Sequence, residues 1–147
     1  MEGEMMTEVV RPKILLVDDE KSILDSLYRF CRQRKWDAIR VEDGAEGLEL
    51  LANEEVDVII SDMRMPKMDG LSVLEAVQAI DPEIPIILFS AHADIAIAIK
   101  AIRSGAYEFL EKTDDPQKQM DTIHRAWQKR QLVLENRALR ISLAEKH

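Results

Sequence analysis

The chain has 147 residues, 46% of them apolar, and a net charge of −8, enough for one domain with a real core and too few for two ordinary ones. Charge is uneven: residues 1–116 carry 25 acids against 13 bases, whereas 117–147 carry 3 acids against 7 bases. An acidic body whose tail bases are scattered along one helix argues against nucleic-acid binding by this chain. No apolar run nears the ~20 residues that span a bilayer, and the acidic, broken start is no signal peptide, so a cytoplasmic location is expected.

In chain order, short β-branched runs alternate with longer stretches of helical spacing. The runs fall at 14–17, 38–41, 56–60, 84–90 and 106–110, and the helical stretches at 21–34, 45–53, 71–80, 93–103 and about 116–143. The first, third and fourth runs are apolar nearly throughout, as suits strands covered on both faces, and the second and fifth are mixed, as suits edges. The first helix carries Cys31, the chain's one cysteine; its neighbours Leu27, Tyr28 and Phe30 mark it as an inert core thiol. Turn chemistry agrees with the elements: Asp43-Gly44 leads into the second helix, Pro66 and Asp69-Gly70 shape the loop after the third strand, Asp81-Pro82 ends the third helix and Ser104-Gly105 the fourth. Right-handed crossovers then predict an α/β fold, a doubly wound five-stranded parallel sheet of order 2-1-3-4-5, flavodoxin-like, with an extended C-terminal helix and a crevice between strands 1 and 3. The expected layout is an N-terminal tail over 1–11, a domain over 12–125 and a helical extension over 126–147.

Parallel strands bring their C-terminal ends together, and these ends carry chemistry. Asp18, Asp19 and Glu20 follow the first strand, Asp62 ends the third, and Lys112 follows the fifth. Carboxylates packed so closely repel one another unless a hard, oxygen-seeking divalent cation lies among them, so the pattern predicts a Mg²⁺ and phosphoryl site facing an ammonium. Taken alone, Asp18 and Asp19 read as helix caps; with Asp62 and Lys112 in register the metal reading prevails. His92, with no cysteine or second histidine nearby, is given no chemistry, and Asp57 and Asp69 read as strand-start and turn residues.

These residues sit in ILLVDDE, VDVIISDMRMPKMDG, ILFSAH and GAYEFLEK, and over about residues 12–125 the chain resembles the receiver domain of bacterial two-component response regulators. The stretch SAHADIAIAIKAIRSGAYEFLEK and the later LVLENRALR look most like receivers of enhancer-binding transcription activators of the nitrogen-regulatory and dicarboxylate-transport types. The resemblance implies Asp62 as phosphoacceptor, Mg²⁺ held directly by Asp19, Asp62 and the backbone carbonyl of Arg64 and through water by Asp18, Ser90 and Lys112 on the phosphoryl oxygens, and Tyr107 changing rotamer with Ser90. It also implies a sensor histidine kinase as donor, a C-terminal output domain, and a signalling phosphoacceptor rather than a metabolic enzyme. A proline usually follows the lysine in this family, with a cis bond between them. Here Thr113 follows, and a cis bond before a non-proline costs ~3 kcal/mol, so a trans bond with a shifted loop or a strained exception is expected.

From Pro116 nothing breaks the helix. Met120, Ile123 and Trp127 form a stripe suited to the sheet, and Leu132, Asn136, Leu139 and Leu143 then recur at heptad spacing. Leu at d with Asn at a suits a two-stranded parallel coiled coil; two heptads cannot hold it alone, so a homodimer joined by the tail and the fourth and fifth units is expected, against the alternative of a solvated helix beside its own domain. A constitutive dimerisation module that no longer depends on phosphorylation is the competing function. An aspartate-dependent phosphatase would need a different acid spacing at the first strand, and a flavin protein a phosphate-cradling loop where this chain has acids.

Overall fold

The computed structural model describes residues 10–92 and 95–146; most of the expected 1–11 tail, the predicted start of the fourth helix at 93, and His147 lie outside them. The chain runs β1 (Lys13–Val17), α1 (Lys21–Gln33), β2 (Asp37–Val41), α2 (Gly44–Leu51), β3 (Val58–Asp62), α3 (Gly70–Ile80), β4 (Ile86–Ser90), α4 (Ile95–Arg103), β5 (Glu108–Glu111) and α5 (Pro116–Glu145). All five strands pair in parallel in the order β2-β1-β3-β4-β5. The two mixed strands are the edges, as their patterning predicts.

Strand alternation divides the core in two. Ile14, Leu16, Val58, Ile60, Ile87 and Phe89 point to the α1 and α5 side, where Leu24, Leu27, Cys31, Met120, Ile123 and Ala126 close over them. Leu15, Val17, Ile59, Ile86 and Leu88 point to the other side, against Val73, Leu74 and Val77 of α3 and Ala101 of α4. Burial pushes the Cys31 thiol up to about 12, in keeping with an inert core group.

Asp43, Asp69 and Asp115 cap α2, α3 and α5, accepting from the backbone N–H of Glu46 (2.8 Å), Ser72 (2.9 Å) and Gln117 (2.9 Å). Gly105 turns the chain out of α4 at φ 110°, a conformation that favours glycine. Three strands begin about two residues later than their apolar runs. Asp57 is engaged by Lys13, whose backbone N–H donates to Asp57 Oδ2 at 2.8 Å, and Pro85 can donate no ladder bond. No cis peptide bond occurs among the described residues, so Lys112–Thr113 is trans. No described helix is long and apolar enough to cross a membrane.

Candidate functional site

Sheet register builds the site. Val17 of β1 lies abreast of Ser61 of β3, so the next residues, Asp18 and Asp62, leave the sheet side by side. Asp62 is abreast of Phe89 and Ser90 of Glu111, which places Ser90 beside Asp62 and Lys112 just beyond. The backbone N–H of Lys112 donates to the Ser90 carbonyl at 2.7 Å, fixing where its side chain starts. The long lysine then reaches back across β4 and β3.

Its ammonium is the hub. Lys112 Nζ stands 3.0 Å from Asp18 Oδ2, 3.0 Å from Glu20 Oε1 and 3.2 Å from Asp62 Oδ2. The Asp18, Asp62 and Lys112 side chains are 2%, 6% and 7% exposed, so these three are paired away from water, while Glu20, 54% exposed, stands at the rim. One oxygen from each of Asp18, Glu20 and Asp62 lies within 4.8 Å of the others. Asp18 Oδ1 accepts from the Glu20 N–H at 2.9 Å, while Oδ2, although close to the ammonium, is buried with no hydrogen-bond donor. Around these groups a cavity of about 160 Å³ is lined by Asp19, Glu20, Asp62, Arg64, Ser90, Ala91, His92 and Lys112.

Burial raises the Asp62 carboxyl to about 7, with the neighbouring Asp18 charge adding to the rise and Lys112 opposing it. Asp18 is raised by burial too, against the bonds it accepts from Glu20 and Lys112. Burial pulls the Lys112 ammonium down, but its bonds to Asp18 and Glu20 and the charges of Asp18 and Asp62 outweigh this and hold it above the ordinary lysine range. With one ammonium among three carboxylates, the cleft carries excess negative charge and a buried acceptor oxygen that lacks a donor. Such a set suits a hard divalent cation, and Asp18, Asp19, Glu20 and Asp62 supply the oxygen donors it takes.

The other predicted residues are placed as follows. Asp19 lines the cavity but is exposed and outside the close acid trio, where Glu20 stands instead. The Arg64 N–H donates to Asp62 Oδ1 at 3.3 Å, holding the loop after β3 against the acid. Ser90 Oγ donates to the His92 carbonyl at 2.9 Å and accepts from the His92 N–H at 3.2 Å. Tyr107 is not among the cavity's lining residues; half-buried, it packs on the α1 and α5 side, with Lys129 Nζ 5.6 Å from its ring centre. Leu132, Asn136, Leu139 and Leu143 are all exposed on α5.

Sequence reasoning counted Glu20 among the converging acids but did not name it as a ligand; the signal was its place directly after the acidic pair, at a strand end that must become a helix start. It also missed the ion pairs of Asp81. That acid ends α3, and nothing local in the sequence links it to arginines of the last helix.

A five-stranded parallel sheet in this order, with acids and a lysine converging at the β1/β3 crevice, defines a flavodoxin-like α/β domain with an acidic cleft at that crevice. The response regulator receiver domain model matches residues 14–124, and the chain belongs to that family. It is 35% identical over 135 residues to the C4-dicarboxylate transport transcriptional regulatory protein DctD of Pseudomonas aeruginosa, covering 92% of this chain and 29% of that protein. It is 37% identical over 113 residues to the DNA-binding transcriptional regulator NtrC of Escherichia coli, covering 77% and 24%. The chain thus spans under a third of the length of these relatives. Among solved structures, the beryllofluoride-activated NtrC4 receiver domain dimer superposes with a TM-score of 0.76 at 30% identity, over 80% of this chain and 98% of that one. Receiver domains of two-component systems are signalling phosphoacceptors rather than conventional enzymes, and they partner with histidine kinases.

Proposed function

We propose that this domain accepts a phosphoryl group on Asp62 from a sensor histidine kinase and uses it to switch a dimer surface and the α5 extension that lead to an output domain. The observation that carries this reading is the Lys112 ammonium bridging Asp18, Glu20 and Asp62 at 3.0–3.2 Å in one cavity with Ser90. Mg²⁺ would be held by Asp18, Asp19, Asp62 and the Arg64 carbonyl, and when bound it would neutralise charge on the phosphoryl oxygens.

An ionised Asp62 oxygen attacks phosphorus, the P–N bond to the donor histidine breaks, and the nitrogen leaves with the bonding pair. Ionisation is the costly part, because burial favours the protonated acid; Lys112 offsets part of that cost through its contact with Asp62. Lys112 then turns from a carboxylate partner into a phosphoryl partner. Ser90 supplies a hydroxyl that exchanges its bond to the His92 carbonyl for one to phosphoryl oxygen. Its departure opens space toward β5, the direction in which Tyr107 would follow. One or two such bonds are worth only a few kcal/mol, so the switch acts by shifting a nearly balanced equilibrium.

Residues 12–125 would form the receiver module and 126–147 the link to the output domain, with the exposed Leu132, Asn136, Leu139 and Leu143 as the dimer seam. The relatives DctD and NtrC are named as transcriptional regulators and the NtrC4 receiver was solved as a dimer, which favours a transcription-activating output and a homodimer here. The complete Lys112 contact set favours this reading over a constitutive dimerisation module.

Incubation with acetyl phosphate and Mg²⁺ is expected to raise the intact mass by one phosphoryl group in the wild type and leave Asp62→Asn unchanged. Equal labelling of the variant would overturn the assignment.

A further inference from the structure

Two arginines of α5 close on one acid at the opposite end of the sheet from the cavity. Arg137 donates from Nη1 to Asp81 Oδ2 at 3.1 Å and from Nη2 to Oδ1 at 2.9 Å, a fork on a fork, and Arg130 Nη2 donates to the same Oδ2 at 3.0 Å. The Glu83 N–H also donates to Asp81 Oδ1, at 3.0 Å, holding the carboxylate in place. Local forces do not favour an acid here, because Asp81 ends α3, where the helix dipole is negative. Arg130 is 8% exposed, and its Nε and Nη1 have no partner; Asp81 is its one ion-pair partner among the described residues. Removing Asp81 would strand a buried guanidinium.

Helical period gives the contact a consequence. Arg130, Leu134 and Arg137 share one face of α5 and, with Ile80, Asp81 and Ile84, line a cavity of about 370 Å³. Leu132, Asn136, Leu139 and Leu143 lie about half a turn around the same helix. The three leucines are 66%, 64% and 58% exposed.

We propose that Asp81 is an ionic clasp that ties the second half of α5 to the α3–β4 corner of its own protomer and so sets the helix's rotation, presenting the leucine stripe outward to a second copy of the chain. The identity of that partner rests on the dimer reading above; the clasp itself does not. α3 begins at Gly70, whose N–H donates to the Met63 carbonyl at 3.0 Å, directly after Asp62, and it ends at Asp81. One rigid helix therefore joins the phosphoacceptor's loop to the clasp.

Amide hydrogen exchange by mass spectrometry on the full chain tests this, with sedimentation run alongside. In Asp81→Asn and in Arg137→Gln, exchange over residues 128–143 is expected to quicken about tenfold or more while β1, β3 and α1 keep their protection, as local release of one segment requires. Leu139→Lys is expected to sediment as a monomer yet retain protection up to Arg137, because the clasp lies within one protomer. Unchanged exchange in both clasp variants would overturn the proposal. So would a loss spread evenly over the chain, or loss in Leu139→Lys equal to that in Asp81→Asn. A wild type that sediments as a monomer while the clasp variants still loosen α5 would sink the dimer reading and leave the clasp standing.

Discussion

Lys112 Nζ stands 3.2 Å from Asp62 Oδ2 and 3.0 Å from Asp18 Oδ2, so one ammonium, just past the edge strand, is shared by two buried acids that leave neighbouring strands side by side. The arrangement is held at both ends by backbone: the Lys112 N–H on the Ser90 carbonyl, and the β1/β3 register under the acids. It is an electrostatic balance that is easily tipped.

Lys112→Ala should tip it toward unfolding. The 7% exposed side chain leaves behind two buried carboxylates without their counterion, and breaking such a pair typically costs about 3–5 kcal/mol. Urea unfolding should show a loss of this order, part of it recovered in the double variant with Asp62→Asn.

Asp62→Asn alone should stabilise the protein in chelator-treated buffer near neutral pH. Burial and the adjacent Asp18 both disfavour the ionised Asp62, and an amide removes that repulsion, for a gain of about 1 kcal/mol in chemical denaturation. Mg²⁺ should stabilise the wild type and have little effect on this variant, since ligand binding to the native state adds stability by mass action.

Gly70→Ala should disturb the site without touching a charged group. A Cβ there would lie 2.7 Å from the Asp62 carbonyl oxygen and 3.0 Å from Met63 Cα, both backbone atoms that cannot turn away. Overpacking of this kind typically costs about 1–3 kcal/mol, and displacement of Asp62 should slow labelling by acetyl phosphate. A variant as stable and as quickly labelled as the wild type would count against this packing.

Acid should open the clasp before it opens the domain. The bond from Arg137 comes first in holding the Asp81 carboxyl down, to about 2, with burial opposing and Glu83 and Arg130 assisting. A depressed carboxyl adds stability that is present above its unfolded value near 4 and fades as pH falls through about 2. Protection over the second half of α5, taken relative to the exchange rate of an unstructured chain at each pH, should therefore fall across that window in the wild type, whereas Asp81→Asn should show no such step.

Much of the fold was legible because each signal is local. Apolar runs bounded by Asp-Gly, Asp-Pro and Ser-Gly mark the ten elements, and the mixed character of β2 and β5 marks the edges. Strand starts were less legible: Val56 and Ile84 are apolar and suit a strand, yet the ladder begins at Val58 and Ile86 because Asp57 and Pro85 are engaged or unable to donate. Similarly, the heptad rhythm of α5 was readable, but which face of that helix meets its own domain was not.

The order of residues by itself determined that Asp18, Asp62, Ser90 and Lys112 meet, since period-two strands in parallel register leave one geometry for their ends. Tertiary packing decided the rest: that Glu20 rather than Asp19 completes the close acid trio, that burial beside Asp18 raises the Asp62 carboxyl, and that Asp81 seizes Arg130 and Arg137. Those outcomes depend on distances across the sheet and on exclusion of water, and neither quantity is encoded in the spacing of residues along a chain.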